Sequence, residues 1–261
     1  MTDLNALKAA NARRWANAKL TRPFSSVAAH LVGRAAKGRY QAVSAKTGVP
    51  WAFIAVAHER ESSQDWTGSL AQGDPWNQVS VHVPAGRGPF RSWEDAAVDA
   101  LVNCAPFAAS NRDWSVGGTL TKLEEYNGLG YAALGLPSPY IWSGTDQYRS
   151  GKFVADHVFD PNKVDQQLGC AGLLMAMMAL DPTITFTGVV LTPSRAKPVS
   201  KTGKKTTGTI AAGGAAAGAA YQMGFGMSMI LLIGMAVAGV AAGVIFKDKI
   251  VAWIAAVKAK L

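Results

Sequence analysis

The chain reads as a mainly α-helical protein with a small β-rich flap, followed by one C-terminal membrane-spanning helix. Three observations predict this. Stretches with helical composition and recognisable starts or stops recur from residue 3 to residue 180, Gly and Pro crowd residues 64–90, and no charged residue occurs from Thr206 to Phe246.

Taken in order, residues 3–20 and 24–37 read as helices, with Pro23 near the start of the second. Residues 50–61 form a third, in which Pro50 sits in the first turn, where a missing N–H costs nothing. Residues 64–90 contain Gly73, Pro75, Pro84, Gly86, Gly88 and Pro89 and read as loop, with a β-prone piece at Val79-Ser-Val-His-Val83. Ser92 can cap the next helix with Asp95 three residues on, and that helix runs to about Ala105, where Pro106 stops it. Residues 117–127 form a helix ended by Gly128, and residues 163–180 one ended by Asp181-Pro182.

The helix over 50–61 carries the most informative side chain. Successive residues of a helix turn by about 100°, so relative to Glu61 the side chain of Ile54 lies at roughly +20°, Ala57 at roughly −40°, and Trp51 and Phe53 at roughly ±80°. Glu59 falls at roughly 160°, on the polar side. Any helix containing both carboxylates sends them to nearly opposite faces, so only one can be pressed among apolar groups. Such surroundings disfavour the charged form and raise the pKa. A carboxylic acid still protonated near neutral pH is suited to general acid catalysis. The alternative for Glu61 is a helix-end carboxylate that reaches water or pairs with Arg60.

Around it, Thr47-Gly-Val-Pro50 opens the helix, Glu61-Ser62-Ser63 closes it, and Gly73-Asp74-Pro75 follows about a dozen residues later. This arrangement resembles the lysozyme-like superfamily of phage and bacterial wall hydrolases, including goose-type lysozymes and soluble lytic transglycosylases, in which a Glu immediately before a Ser ends a buried helix. Tyr126-Asn127-Gly128-Leu129-Gly130-Tyr131 is similar to the downstream Tyr-Asn-x-Gly segment of the transglycosylase branch. His58-Glu-Arg-Glu-Ser62, Gly73-Asp-Pro75, Val81-His-Val-Pro-Ala-Gly86 and Trp93-Glu-Asp-Ala-Ala97 together resemble a phage-type lysozyme subgroup. The likeness covers about residues 45–180 and implies an α+β lysozyme-like fold over residues 1–185.

It also implies a reaction. Glu61 would protonate the β-1,4 glycosidic oxygen between N-acetylmuramic acid and N-acetylglucosamine in peptidoglycan glycan strands. A conventional glycosidase needs a second carboxylate, roughly 5 Å away if retaining or 6.5–9.5 Å away if inverting. Asp74, fixed between Gly73 and Pro75, is the first choice and Asp65 the next; Asp74 could instead only bond nearby backbone N–H groups in an Asx-type turn. The transglycosylase branch needs no second carboxylate: the substrate's acetamido group assists, a 1,6-anhydro product results, and Tyr126 and Asn127 would help hold that group. Asn127 before a Gly also suits a plain helix C-cap. In Pro137-Ser-Pro-Tyr-Ile-Trp142-Ser-Gly-Thr-Asp-Gln-Tyr148, aromatic and amide groups share one loop. Trp76, Tyr140, Trp142 and Gln147 are thus candidate sugar-subsite residues, although loop aromatics also pack as satellite cores.

The formal charge of +9 invites a polyanionic partner. Arg13, Arg14, Lys19, Arg22, Arg34, Lys37 and Arg39 cluster near the start, but no stacking-aromatic motif accompanies them, so no specific nucleic-acid partner is expected. His30, His58, His82 and His157 lack ligand spacing, and Cys104 and Cys170 stand alone, so neither a metal nor another cofactor is expected. No Ser or Cys nucleophile motif stands near a base.

Residues 186–208 are rich in Pro, Ser, Thr and Lys and read as an extended basic tether. Residues 209–246 form a Gly/Ala-rich hydrophobic segment whose core, 225–246, is long enough as a helix to cross a bilayer. Within it Gly239 and Gly243 make a small-xxx-small step that permits helix self-association. Residues 247–261 are a basic tail. Met1 to Leu20 has no hydrophobic core, so no signal peptide is expected. A single-pass inner-membrane anchor with the enzyme domain acting on the periplasmic wall follows as an expectation, although the flanking charges slightly favour a cytoplasmic domain.

Overall fold

The computed structural model describes residues 2–187 except Gln72, Val83, Asp156 and His157. The tether beyond Thr187, the hydrophobic segment with Gly239 and Gly243, and the basic tail lie outside the described residues. Among the described residues, no helix is long and apolar enough to cross a membrane.

The architecture is mainly helical. α1 (Leu4–Asn17) starts where Asp3 accepts from the N–H groups of Asn5 and Ala6. α2 (Ser25–Val32) and α3 (Arg34–Thr47) follow, then α4 (Trp51–Ser62) and α5 (Trp93–Asn103). α6 (Val116–Asn127), the short turns α7 (Gly130–Ala133) and α8 (Pro139–Trp142), and α9 (Cys170–Leu180) complete the α-helices of the described residues. Between α8 and α9, strand β1 (Lys152–Ala155) pairs antiparallel with β2 (Val158–Asp160), Phe153 opposite Phe159.

Several expected elements need correction. The single helix over 24–37 is two helices, because Gly33 adopts an extended conformation (φ −56°, ψ 139°) that ends α2 and starts α3. The helix over 163–180 begins only at Cys170, since residues 163–169 are tied up in contacts with Arg60, Tyr148 and Ser143. The β-rich flap contains no strand among its described residues: segment 79–82 is a loop, and the regular ladder forms instead at β1–β2.

α4 is the centre of the protein. α3, α6 and α9 all pack on it, and every residue from Ala52 to His58 is buried. The expected division into one apolar and one polar face therefore holds only at its C-terminal end, because neighbours wrap the rest all round. α2 packs on α9, where Gly172 leaves room for the buried Phe24 ring. α1 packs on α6 and contributes one buried residue, Asn11.

Candidate active site

α4 ends abruptly just after Glu61. Ser63 and the next residue, Gln64, are both left-handed (φ 53° and 63°), and their N–H groups bond the carbonyls of Glu59 and His58. The Ser62 hydroxyl donates back to the His58 carbonyl at 3.1 Å. This turn presents Glu61 at the end of a helix whose preceding two turns are sealed in the core.

Glu61 is half-buried; its carboxyl bonds one phenol and acts electrostatically on groups of two further helices. The Tyr140 hydroxyl, from α8, donates to Oε1 at 2.9 Å. From α6, the Tyr126 hydroxyl is buried without a hydrogen-bond partner and feels the charge of Glu61, as does the buried Cys170 thiol at the start of α9. Burial raises Glu61 to about 7; the Tyr140 hydrogen bond and the charge of Arg60 pull the other way without cancelling it. Glu59, two positions earlier, instead accepts from the Gln64 side-chain amide at 2.7 Å.

Arg60 turns inward between them. Its guanidinium donates to Asp165 Oδ2 at 3.0 Å and to the Leu168 carbonyl at 3.3 Å, and its centre lies 4.7 Å from the Tyr140 ring. Lys152 also reaches Asp165, at 2.8 Å. This pairing, between residues far apart in the chain, was not visible in the sequence.

Beneath the turn lies His58. Its Nε2 meets the Asp65 carbonyl at 3.0 Å and must carry the proton, because a carbonyl only accepts; Nδ1 then accepts from the Tyr40 hydroxyl at 3.0 Å. Packed against Trp66 and Trp93, it is pushed down to about 4 by burial, so the imidazole is neutral at physiological pH.

Asp74 serves the flap. One oxygen accepts from the N–H groups of Val81 and His82, both at 2.9 Å, and the other meets the His82 ring. Burial pushes its carboxyl up, but the bonds from His82 and Val81 outweigh this and hold it below the usual range. Asp65 is exposed and accepts from the N–H and hydroxyl of Thr67 at Oδ1 alone, which lowers it.

The candidate subsite residues separate. Trp142 is 0% exposed and its indole N–H donates to Asn11, so the expectation that it faces sugar gives way to a core role. Tyr140 is also buried, and its hydroxyl serves Glu61. Trp76 is half-buried against the core with its indole N–H on the Trp66 carbonyl. Asn127 is half-buried at the last turn of α6, and Gln147 donates to Asp146 at 3.0 Å. Of these residues Tyr140 alone bonds Glu61, while Tyr126 packs on Phe53 in the core and only feels its charge.

α6 holds a further buried acid that no motif in the sequence marks. Glu124 on α6 accepts from Asn11 at 3.3 Å, while its other oxygen lacks a partner; burial raises it to about 7. Cys104 and Cys170 are free, buried thiols. Among the described residues no group of three or more His, Cys, Asp or Glu is placed to hold a metal ion. Of the basic cluster, Lys37 and Arg39 are paired with Asp181 and Glu94, and Arg22 bonds the carbonyls of Gln166 and Gln167. Comparison of the chain with protein-family models, curated proteins and solved structures gives no match.

Proposed function

We propose that the protein is a peptidoglycan hydrolase in which Glu61 is the general acid that protonates the β-1,4 bond between N-acetylmuramic acid and N-acetylglucosamine. The observation that supports this most is the desolvated carboxyl at the end of α4, raised to about 7 and oriented by one phenol. Such a group keeps its proton near neutral pH and can give it to a leaving oxygen. The motif likeness around residues 58–62, 73–75 and 126–131 points to the same chemistry.

A specific observation favours the transglycosylase variant of this reaction. Both oxygens of Asp74 are committed to the flap, so the first-choice second carboxylate offers no unengaged oxygen to attack the sugar or activate water. A single acid with acetamido assistance from the substrate fits that arrangement, while the buried Tyr126 belongs to the core behind Glu61 and not to the sugar-facing surface. Segment 225–246 supports membrane tethering of this activity.

Clearing of purified murein by the full-length chain tests the reading. Glu61→Gln should reduce it on the order of a hundredfold or more; undiminished clearing would remove Glu61 from the mechanism. Mass spectra of the released muropeptides separate the variants, since an anhydro product is one water lighter than a hydrolysed one. With a transglycosylase, Asp74→Asn retains the product type; loss of clearing with intact fold would instead restore Asp74 as a reacting group.

A further inference from the structure

Arg60 and Asp165 form an ion pair buried at 8% and 1% exposure, in a part of the protein where taking two charges out of water is costly. Apolar residues of similar volume would hold such a site equally well. The aspartate side of the pair is nevertheless well built, while Arg60 Nε is buried without a partner. Asp165 is fixed by Lys152 at its carboxylate, by its own N–H on the Tyr148 hydroxyl at 3.1 Å, and by the Ser143 hydroxyl on its carbonyl at 2.9 Å. Arg60 is thereby directed over the Tyr140 ring, and the hydroxyl of that ring is the donor to Glu61. A cation against an aromatic face draws electron density from the ring, which makes the phenol a stronger donor.

We propose that the Arg60–Asp165 pair is the positioning device for the Glu61 acid: Asp165 holds the guanidinium over Tyr140, and the polarised hydroxyl of Tyr140 fixes Glu61 Oε1. Neither Arg60 nor Asp165 touches substrate in this role. The groups that face Glu61 are Arg60 on α4 itself, Tyr126 from α6, Tyr140 from α8 and Cys170 from α9. Of these, Arg60 alone is a permanent charge. Arg60→Gln removes the polarising charge and Asp165→Asn releases it from the Tyr140 ring, so both weaken the donor and make the Glu61 carboxyl hold its proton more tightly. A pair that acted on Glu61 only as two charges would give opposite signs from the two variants.

The proposal rests on the reading of Glu61 as the acid, and its test is chosen to be separable from that reading. The full-length chain is labelled with 13C at the Glu carboxyls, the Glu61 resonance is assigned by its loss in Glu61→Gln, and its titration is followed by NMR. Relative to the unsubstituted chain, the midpoint should rise in both Arg60→Gln and Asp165→Asn, each by about half a pH unit or more, about threefold in proton affinity. The alkaline limb of murein clearing should move upward in both. A midpoint that stays put in either variant, or that falls in Asp165→Asn, overturns the proposal. If Arg60→Gln does not fold, the near-isosteric Asp165→Asn decides alone: an unchanged or lowered midpoint overturns the proposal. Absence of clearing by the unsubstituted chain would sink the acid reading instead, while the titration would still judge the pair.

Discussion

The Tyr140 hydroxyl donates to Glu61 Oε1 at 2.9 Å across 79 positions of sequence, joining the end of α4 to the short α8 turn. A donor to a carboxylate favours its charged form. Tyr140→Phe removes that donor and keeps the ring, so Glu61 should titrate at higher pH and the alkaline limb of clearing should shift upward by about half a unit or more. A limb that stays in place or moves down would show that the hydrogen bond does not tune the acid.

Glu61 also sets a pH dependence of stability. Its folded value of about 7 lies above the ordinary 4.5, so between these values the native state holds a proton that the unfolded chain has released. Stability should thus be unaffected by this group below 4.5, fall as pH rises through the window, and carry the full cost above 7. Glu61→Gln should stabilise the protein at pH 8 by up to about 3 kcal/mol and leave it nearly unchanged at pH 4, read from urea unfolding. Equal gains at both pH values would contradict the desolvation of this carboxyl.

His58 acts in the opposite sense. Its folded value of about 4 lies below the ordinary 6.5, so as pH falls through that window the unfolded chain takes up a proton that the native state refuses. Stability from this group is complete above 6.5 and declines toward pH 4, by up to about 3 kcal/mol. The slopes of Glu61 and Glu124 oppose it, since both carboxyls are raised to about 7. The double variant Glu61→Gln, Glu124→Gln should therefore lose stability from pH 6.5 to 4.5; a flat profile there would mean that His58 protonates without breaking its bonds.

The left-handed turn after α4 offers a gain in stability. Ser63 is exposed and adopts φ 53°, a conformation that glycine takes without strain from a Cβ. Ser63→Gly should raise stability by about 0.5–1 kcal/mol in thermal or urea unfolding, with murein clearing retained. A loss of stability would reveal a contribution from the serine side chain.

Local signals made α4 and its neighbours legible. Pro50 fixed the start of that helix, Ser92 does cap α5 by accepting from Asp95 N–H at 3.2 Å, and Gly128 follows α6. The opposition of Glu59 and Glu61 required only helical geometry. What remained hidden depends on distant partners. Helix-compatible residues flank Gly33 on both sides, so its break left no mark. The hairpin strands have four and three residues, too short for a period to show. Trp142 and Trp76 stand in similarly loop-like sequence, yet only the neighbouring Asn11 and its helix determine that one indole is sealed away. Asp165 meets Arg60 across 105 positions.

Glu59, Arg60 and Glu61 are consecutive, yet they answer to an amide, a buried aspartate and a phenol respectively. Inserting or deleting one residue between Pro50 and Glu59 would swing all three by about 100°, exchanging every appointment at once. This stretch of backbone can thus drift by replacement but not by change of length: its residue count is as much a determinant of the acid as the glutamate is.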